Sequence, residues 1–502
     1  MELNFQSKTV PYLRCVLRQT VTQEQTKEVI VPDSFPDAGS ILLTHADAVL
    51  RSQESHAGSL TVTGAIRASC LYAPENEKEP RLLDSYFPFT LRLDHPAVKE
   101  DTAYLLDLKV RSADSRMINS RKVLLRVGIG CRITGYDAAE ESFCELKQRP
   151  EALQLKSAEY RLLLPSEIAQ KPFPITEELE LGLAKPAAAQ LLHFSALPIV
   201  REQKLNGTKA VMKGEMLVSV FYAAEDGSLQ TFSQNLPFSQ FVELREDYPD
   251  GSALSLLPVM TGSDLELQAG SDGRKLLFTG DVLLQCLACR PQTVTVYEDA
   301  YVTEGTLTPE WKEYPLEWGL DCQSLPRSVR GMADGGVREI VDAVFYPDFP
   351  EKTRTETGVR IVLPVQYSLL AVDGQGAYQG ISGRMEDAGE LALAPNANAD
   401  VDAVQTGEGY ASEGGAGVDL RLDMALTVCS YAENTLRSLC GGTVEPGQSA
   451  QSETCVIIRR TEVPGEIWEI AKTYATTVEA IRSANRLTGS EVEAGTMLLI
   501  PT

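Results

Sequence analysis

The chain is short of the residue types and runs that several function classes require. No stretch approaches the roughly 18 consecutive apolar residues of a membrane-spanning helix. The opening Met1-Glu2-Leu3-Asn4-Phe5-Gln6-Ser7-Lys8 has no basic segment followed by an apolar one, so no secretion signal is expected. Basic residues are scarce: 46 Lys and Arg against 70 Asp and Glu give a net charge of −24. Nucleic-acid binders need clustered cations for phosphate, and insertion into or adhesion to an anionic membrane is equally unexpected. The four histidines (His45, His56, His95, His193) form no metal-ligating spacing, and nucleophile-elbow and phosphate-loop signatures are missing. No catalytic residue, metal or cofactor is therefore expected, and the chain reads as cytoplasmic. Ten scattered cysteines in that setting are expected to be reduced and buried.

What is present is repetition. Leu60 to Tyr72 alternates apolar or small residues at Leu60, Val62, Gly64, Ile66, Ala68, Cys70 and Tyr72, the period-two signature of a strand with one buried face. The pattern returns without gaps at Ala210–Tyr222 and at Thr355–Tyr367, the tyrosines roughly 150 and 145 residues apart, a domain-sized spacing. Pro364 lacks a donor, which predicts an edge strand or a bulge in the third copy. Turns follow each copy, with Asp226-Gly227 and Asp373-Gly374 as hairpin signals. A second landmark keeps phase: strong strands start at Arg121-Lys122 and Arg274-Lys275, and a third runs from Val418 to Tyr431. Polar segments 137–157, 303–324 and 434–454 read as linkers.

Beyond Cys455 the period changes. Cys455–Arg459 reads as a strand, and Ile467, Ile470, Ala471 and Tyr474 share one helical face. Thr476-Thr477 supplies a cap for a second helix with Val478, Ile481 and Ala484 inward, and Met497–Pro501 closes as a strand. This βααβ order, with I-W-E-I-A-K-T-Y, T-T-V-E-A-I-R-S-A-N-R-L and A-G-T-M-L-L-I-P, resembles a LysM domain. Likewise Glu28-Val29-Ile30-Val31-Pro32-Asp33-Ser34-Phe35-Pro36-Asp37, followed by Ile41-Leu42, resembles the start of the SPOCS domain of sporulation proteins. Leu164-Pro165-Ser166-Glu167 and Tyr346-Pro347-Asp348-Phe349-Pro350 keep fragments of it.

The resemblance implies a mainly β fold. Three tandem β-sandwich- or barrel-like SPOCS-type domains (1–150, 151–320, 321–440) precede a linker (441–454) and a small α+β LysM domain (455–502). It further implies a mother-cell spore-coat scaffold docking on a SpoIVA-like coat-basement ATPase at the forespore surface. Glycan-binding LysM domains carry Gly-Asp-Thr or Gly-Asp-Ser in their first loop, which with the loop after the second helix forms the sugar groove. Here Pro464-Gly465-Glu466 stands there, which shifts the expected ligand from sugar to protein. The expected ligand- or partner-binding set is Arg460, Gly465, Glu466, Ile467, Asn485, Arg486 and Leu487. Two rivals are a binder of peptidoglycan N-acetylglucosamine and a carbohydrate hydrolase carrying a LysM targeting module.

Individual features weigh towards structure. Asp33 and Asp37, a conceivable carboxylate pair, sit in Pro-Asp turns. Cys286 and Cys289 have redox spacing but lie in an apolar strand. Gly414-Gly415-Ala416-Gly417 reads as a turn. Trp468 is expected to plug the module's core. Arg459, Arg460, Arg482 and Arg486 are either solvated charges or an electrostatic docking face.

Overall fold

A computed structural model describes residues 1–501 except 78, 415–416, 446 and 448–455. The first repeat comprises β1 (Phe5–Ile30), β2 (Ala38–His56), β3 (Ser59–Pro74), β4 (Arg81–Asp94), β5 (Ala103–Asn119) and β6 (Lys122–Leu146). The second runs β7 (Leu153–Glu180), β8 (Ala188–Asn206), β9 (Lys209–Ala224), β10 (Leu229–Glu243), β11 (Ala253–Leu267) and β12 (Lys275–Val302). The third runs β13 (Thr306–Ala333), β14 (Val337–Pro347), β15 (Glu351–Arg354), β16 (Gly358–Asp373), β17 (Tyr378–Ala392), β18 (Ala397–Gln405), β19 (Tyr410–Gly414) and β20 (Gly417–Glu445).

Each repeat is a β-sandwich. In the first, sheet β2-β3-β4 packs on sheet β1-β6-β5, and both contribute to one core. The alternation of β6 explains the packing: Val123, Leu125, Val127, Ile129, Cys131 and Ile133 all point inward and are essentially inaccessible. Leu276, Phe278, Val282, Leu284 and Cys286 do the same in β12, and Val418 through Val428 in β20.

The first and last strands of each repeat are far longer than a sandwich needs. Their far halves pair as two-stranded arms: Phe5–Cys15 with Tyr136–Leu146, Leu153–Pro165 with Cys289–Val302, and Thr306–Gly319 with Tyr431–Glu445. One bulge per repeat marks where arm meets sandwich, with Val16, Ser166 and Leu320 left out of the ladder. The three arms share a core of Val10, Tyr12, Phe143, Leu162, Leu164, Val294, Val296, Tyr314, Leu316, Trp318 and Leu436. The expected linkers are thus corrected: polar alternation there belongs to arms with one wet face. The boundary expected at 320 falls inside β13, and 441–445, expected as tether, belongs to β20; most of 446–454 lies outside the described residues.

The chain closes on itself. Leu3 N–H donates to Gly442 (2.9 Å) and Val444 N–H to Met1 (2.7 Å), so the N-terminus lies on the last arm. Disulfides join Cys144 to Cys440, across repeats one and three, and Cys322 to Cys429 within repeat three. The expectation of reduced cysteines is corrected for these four. Cys286 and Cys289 point to opposite faces of β12, and burial pushes both thiols up to about 12.

The loop carrying Val31-Pro32-Asp33-Ser34-Phe35-Pro36-Asp37 wraps the Arg121 guanidinium, which donates to the carbonyls of Val31, Pro32 and Phe35 and to Asp33 and Asp37. In repeat two Arg274 donates to Gly182 and Lys185. The true counterpart of the motif is therefore Leu181–Ala188, not Leu164–Glu167. Tyr72 and Tyr222 both donate to the proline carbonyl 36 residues earlier, Pro36 and Pro186. Tyr367 does not: the hairpin pairings Tyr222↔Gln230 and Ala371↔Gln379 put Ala371 at the equivalent place. Tyr346–Pro350 lies at the junction of β14 and β15, within the counterpart of β2. Pro364 lies in the central strand β16, not at an edge. Its carbonyl accepts from Asp348 at that junction, so its missing N–H falls where the neighbouring strand is already broken.

The sandwiches meet through buried polar contacts. The Gln285 side chain accepts from Leu106 N–H (2.9 Å) and donates to Leu106 C=O (2.7 Å), acting as a backbone surrogate between repeats one and two. His45 stacks on His193 with ring centres 4.2 Å apart, and His193 pairs with Asp342 of repeat three at 2.8 Å. Gln285→Leu orphans two buried backbone groups and is expected to destabilise the protein by about 2–4 kcal/mol, read by denaturant unfolding. Burial, then His193 and Arg67, hold His45 well below its ordinary 6.5. Below that pH the unfolded chain takes up a proton the folded one refuses, so stability is lost as pH falls from 6.5. His45→Gln should flatten the melting temperature profile between about pH 7.5 and 5.5 relative to the parent; an unchanged slope would refute this origin.

Candidate functional site

The C-terminal module comprises β21 (Val456–Arg460), β22 (Gly465–Glu466), α1 (Ile467–Thr473), α2 (Val478–Asn485), β23 (Glu491–Val492) and β24 (Met497–Pro501). β21 pairs with β24 and β22 with β23, so the first loop and the loop after α2 lie side by side. Ile467 N–H donates to Ser490 C=O (2.9 Å) between them, and Thr461 ties the first loop to the β23–β24 turn, its hydroxyl donating to Glu493 C=O at 2.6 Å. Thr477 caps α2 by accepting from Ala480 N–H at 3.0 Å. Ile467, Ala471, Ile481, Val492, Leu498 and Ile500 fill the core. Ala484, expected inward, is exposed.

That core has a seventh buried member from outside the module, Tyr301 on the far end of β12. Its hydroxyl donates to Thr476 C=O (2.7 Å), and its ring meets Trp468 edge-on at 4.9 Å. Burial pushes the Tyr301 phenol up to about 12. Asp299, two residues earlier, accepts from Trp468 Nε1 (2.8 Å) and Lys472 Nζ (2.7 Å). Burial raises the Asp299 carboxyl, but the bonds from Lys472 and Trp468 outweigh it and hold the group below its usual range. Lys156 on β7 pairs with Glu466 at 2.6 Å. The module is therefore seated on the second repeat's arm, and Trp468 is half-buried at that seat, packed against the core that Tyr301 shares with the module.

This seat redistributes the expected binding residues. Ile467 is fully buried in the module. Glu466 is engaged by Lys156, while Gly465 beside it is exposed. Asn485 acts as a false strand beside β24: its amide donates to Leu499 C=O (2.6 Å) and its oxygen accepts from Leu499 N–H (2.7 Å). Arg486 ends α2 in the left-handed conformation (φ 54°), the usual way a helix is stopped, and its side chain is exposed. Leu487 is half-buried against the core, and Arg460 is exposed at the end of β21. The set splits into core, seat and surface members; Arg460, Gly465 and Arg486 are the surface ones. Sequence reasoning missed Lys156, Asp299, Tyr301 and Lys472. The first three lie in strands whose alternation gives no hint of which face another domain covers.

Elsewhere, where the three repeats meet, a chamber of about 1260 Å³ is lined by His45, Asp107, Lys109, Arg132, His193 and Asp402 among others. Lys109 and Arg132 approach Asp402 at 3.3 Å, and both cations face the Phe349 ring. Lys109 and Arg132 of repeat one thus meet Asp402 of repeat three, while Asp107 Oδ2 is buried there with no hydrogen-bond partner among the described residues. Among the described residues no helix is long and apolar enough to cross a membrane.

Three sandwiches and a seated βααβ module make up the described fold. The family model described as SipL, SPOCS domain matches residues 188–255, which span β8 to β10 and the start of β11. The LysM domain model matches residues 467–501. The two matched segments, a SPOCS domain followed by a LysM domain, support a sporulation protein with a peptidoglycan-binding-type module. Both domains are binding or structural modules. No curated protein matches, and no solved structure matches.

Asp299→Ala removes the acceptor shared by Trp468 and Lys472. It should shift Trp468 emission to the red and speed proteolysis at the module's base, while leaving the melting of the sandwiches within about 1 kcal/mol of the parent. Unchanged emission and proteolysis would show that Asp299 does not hold the seat.

Proposed function

We propose that the chain is a non-enzymatic spore-coat scaffold that acts in the mother cell. Its LysM module docks on a SpoIVA-like coat-basement protein, and the three sandwiches set the module's position and offer further surfaces. The observation that carries this reading is the seat. Glu466, in the loop that would border a sugar, is paired with Lys156, while Arg460 and Arg486 are left to solvent. Exposed guanidinium groups suit an acidic protein surface, where they steer association and fix register.

A second reading, glycan binding, is favoured by the LysM match itself. Binding of the full chain to purified coat-basement ATPase and to purified peptidoglycan separates the two. Arg460→Glu combined with Arg486→Glu should weaken ATPase capture about ten-fold or more and steepen no other property, since both side chains face water. Retention on peptidoglycan with no ATPase capture would replace the scaffold reading with the glycan one.

A further inference from the structure

The two-stranded sheet of the LysM module has an inverted outer face. Strand alternation sends Ile457, Leu498 and Ile500 inward onto the helices. The opposite face should then be polar, because a two-layer module meets water there. Instead it carries Ile458 (63% exposed), Met497 (62%), Val456 (48%) and Leu499 (41%). These four are contiguous: Ile458 lies opposite Leu499 and Arg460 opposite Met497 across the ladder. Four large apolar side chains grouped on so small a module are a covered surface in waiting.

We propose that this outer face of β21 and β24 docks a protein segment that brings apolar side chains together with a carboxylate. The inference rests on the scaffold reading and adds to it the face and the partner's chemistry. The face disfavours a sugar and a second copy of the chain. It offers no aromatic ring or side-chain amide on which a sugar would stack or hydrogen-bond. A second copy laid face to face would bury two Arg460 guanidinium groups with no carboxylate from the described residues of either face, an uncompensated desolvation. Among the described residues Arg460 has no carboxylate partner, so an acidic group from the partner completes it. Approach is also directed: Asn485 already satisfies the outer edge of β24 at Leu499, which leaves the face and the β21 side for contact. The seat on β12 lies at Trp468 and Lys472 of α1, so docking does not require the module to leave the scaffold.

The test uses full-length protein with purified coat-basement ATPase as the probe, measured by surface-immobilised binding. Ile458→Glu combined with Leu499→Glu should weaken binding at least ten-fold. Arg460→Glu should do so too, while Arg460→Lys keeps most of the affinity. Met497→Gln is the milder variant should the double substitution fail to fold, and a several-fold loss is expected from it. Unchanged binding by these variants, with capture still abolished when the module is deleted, overturns the face and leaves the scaffold reading standing. Equal capture with and without the module, or none by the full chain, overturns both.

Discussion

Everything in this molecule depends on the pairing of the first strand of each repeat with its last. A strand of 25 to 29 residues presents that many backbone donors and acceptors, and each needs a partner. These groups alternate between the two sides of a strand, and along one whole side only an antiparallel strand of like length can pair them throughout. β1 and β6, β7 and β12, and β13 and β20 pair in this way along nearly their full lengths, with one break in register in the first ladder and two in each of the others. Because each pair continues past its sandwich, the sandwiches cannot hang as beads on linkers. Their arms must pack on one another, and the apolar faces of those arms form a core that belongs to no single repeat.

The same logic places the C-terminal module. The far end of the β7–β12 arm presents Lys156, Asp299 and Tyr301, and these three hold the LysM domain through Glu466, Trp468 and Thr476. A tyrosine lent to the module's core and a carboxylate shared by two donors make a seat of mixed apolar and polar character, the pattern of a defined interface.

Much of the candidate site was legible in the residues, and its failures are instructive. The amphipathic pattern of 467–485 and the Thr477 cap located both helices correctly. The pairing of Arg121 and Arg274 marked equivalent places, because both guanidinium groups organise the loop at the repeat's outer end. Tyr367 was aligned four residues from the true equivalent, Ala371. Period-two alternation looks the same after any even shift, so register is fixed by hairpin geometry and not by apolar pattern alone. Asn485 and Ile467 looked like ligand contacts by family likeness, yet one closes a strand edge and the other fills the core.

By itself the sequence determined the class of each element: alternation made strands, a 3.6-residue period made two helices, and three phased copies made three sandwiches. These are local properties, set by which side chains a single strand or helix must bury. Which elements lie together was decided only in three dimensions. The arms, the Cys144–Cys440 link, the closure of the N-terminus on the last strand and the LysM seat all join residues more than a hundred positions apart. A wet and a buried face of a strand carry similar residues when the burying surface is itself half polar. No local pattern can then say which partner arrives, and the tertiary structure alone chooses it.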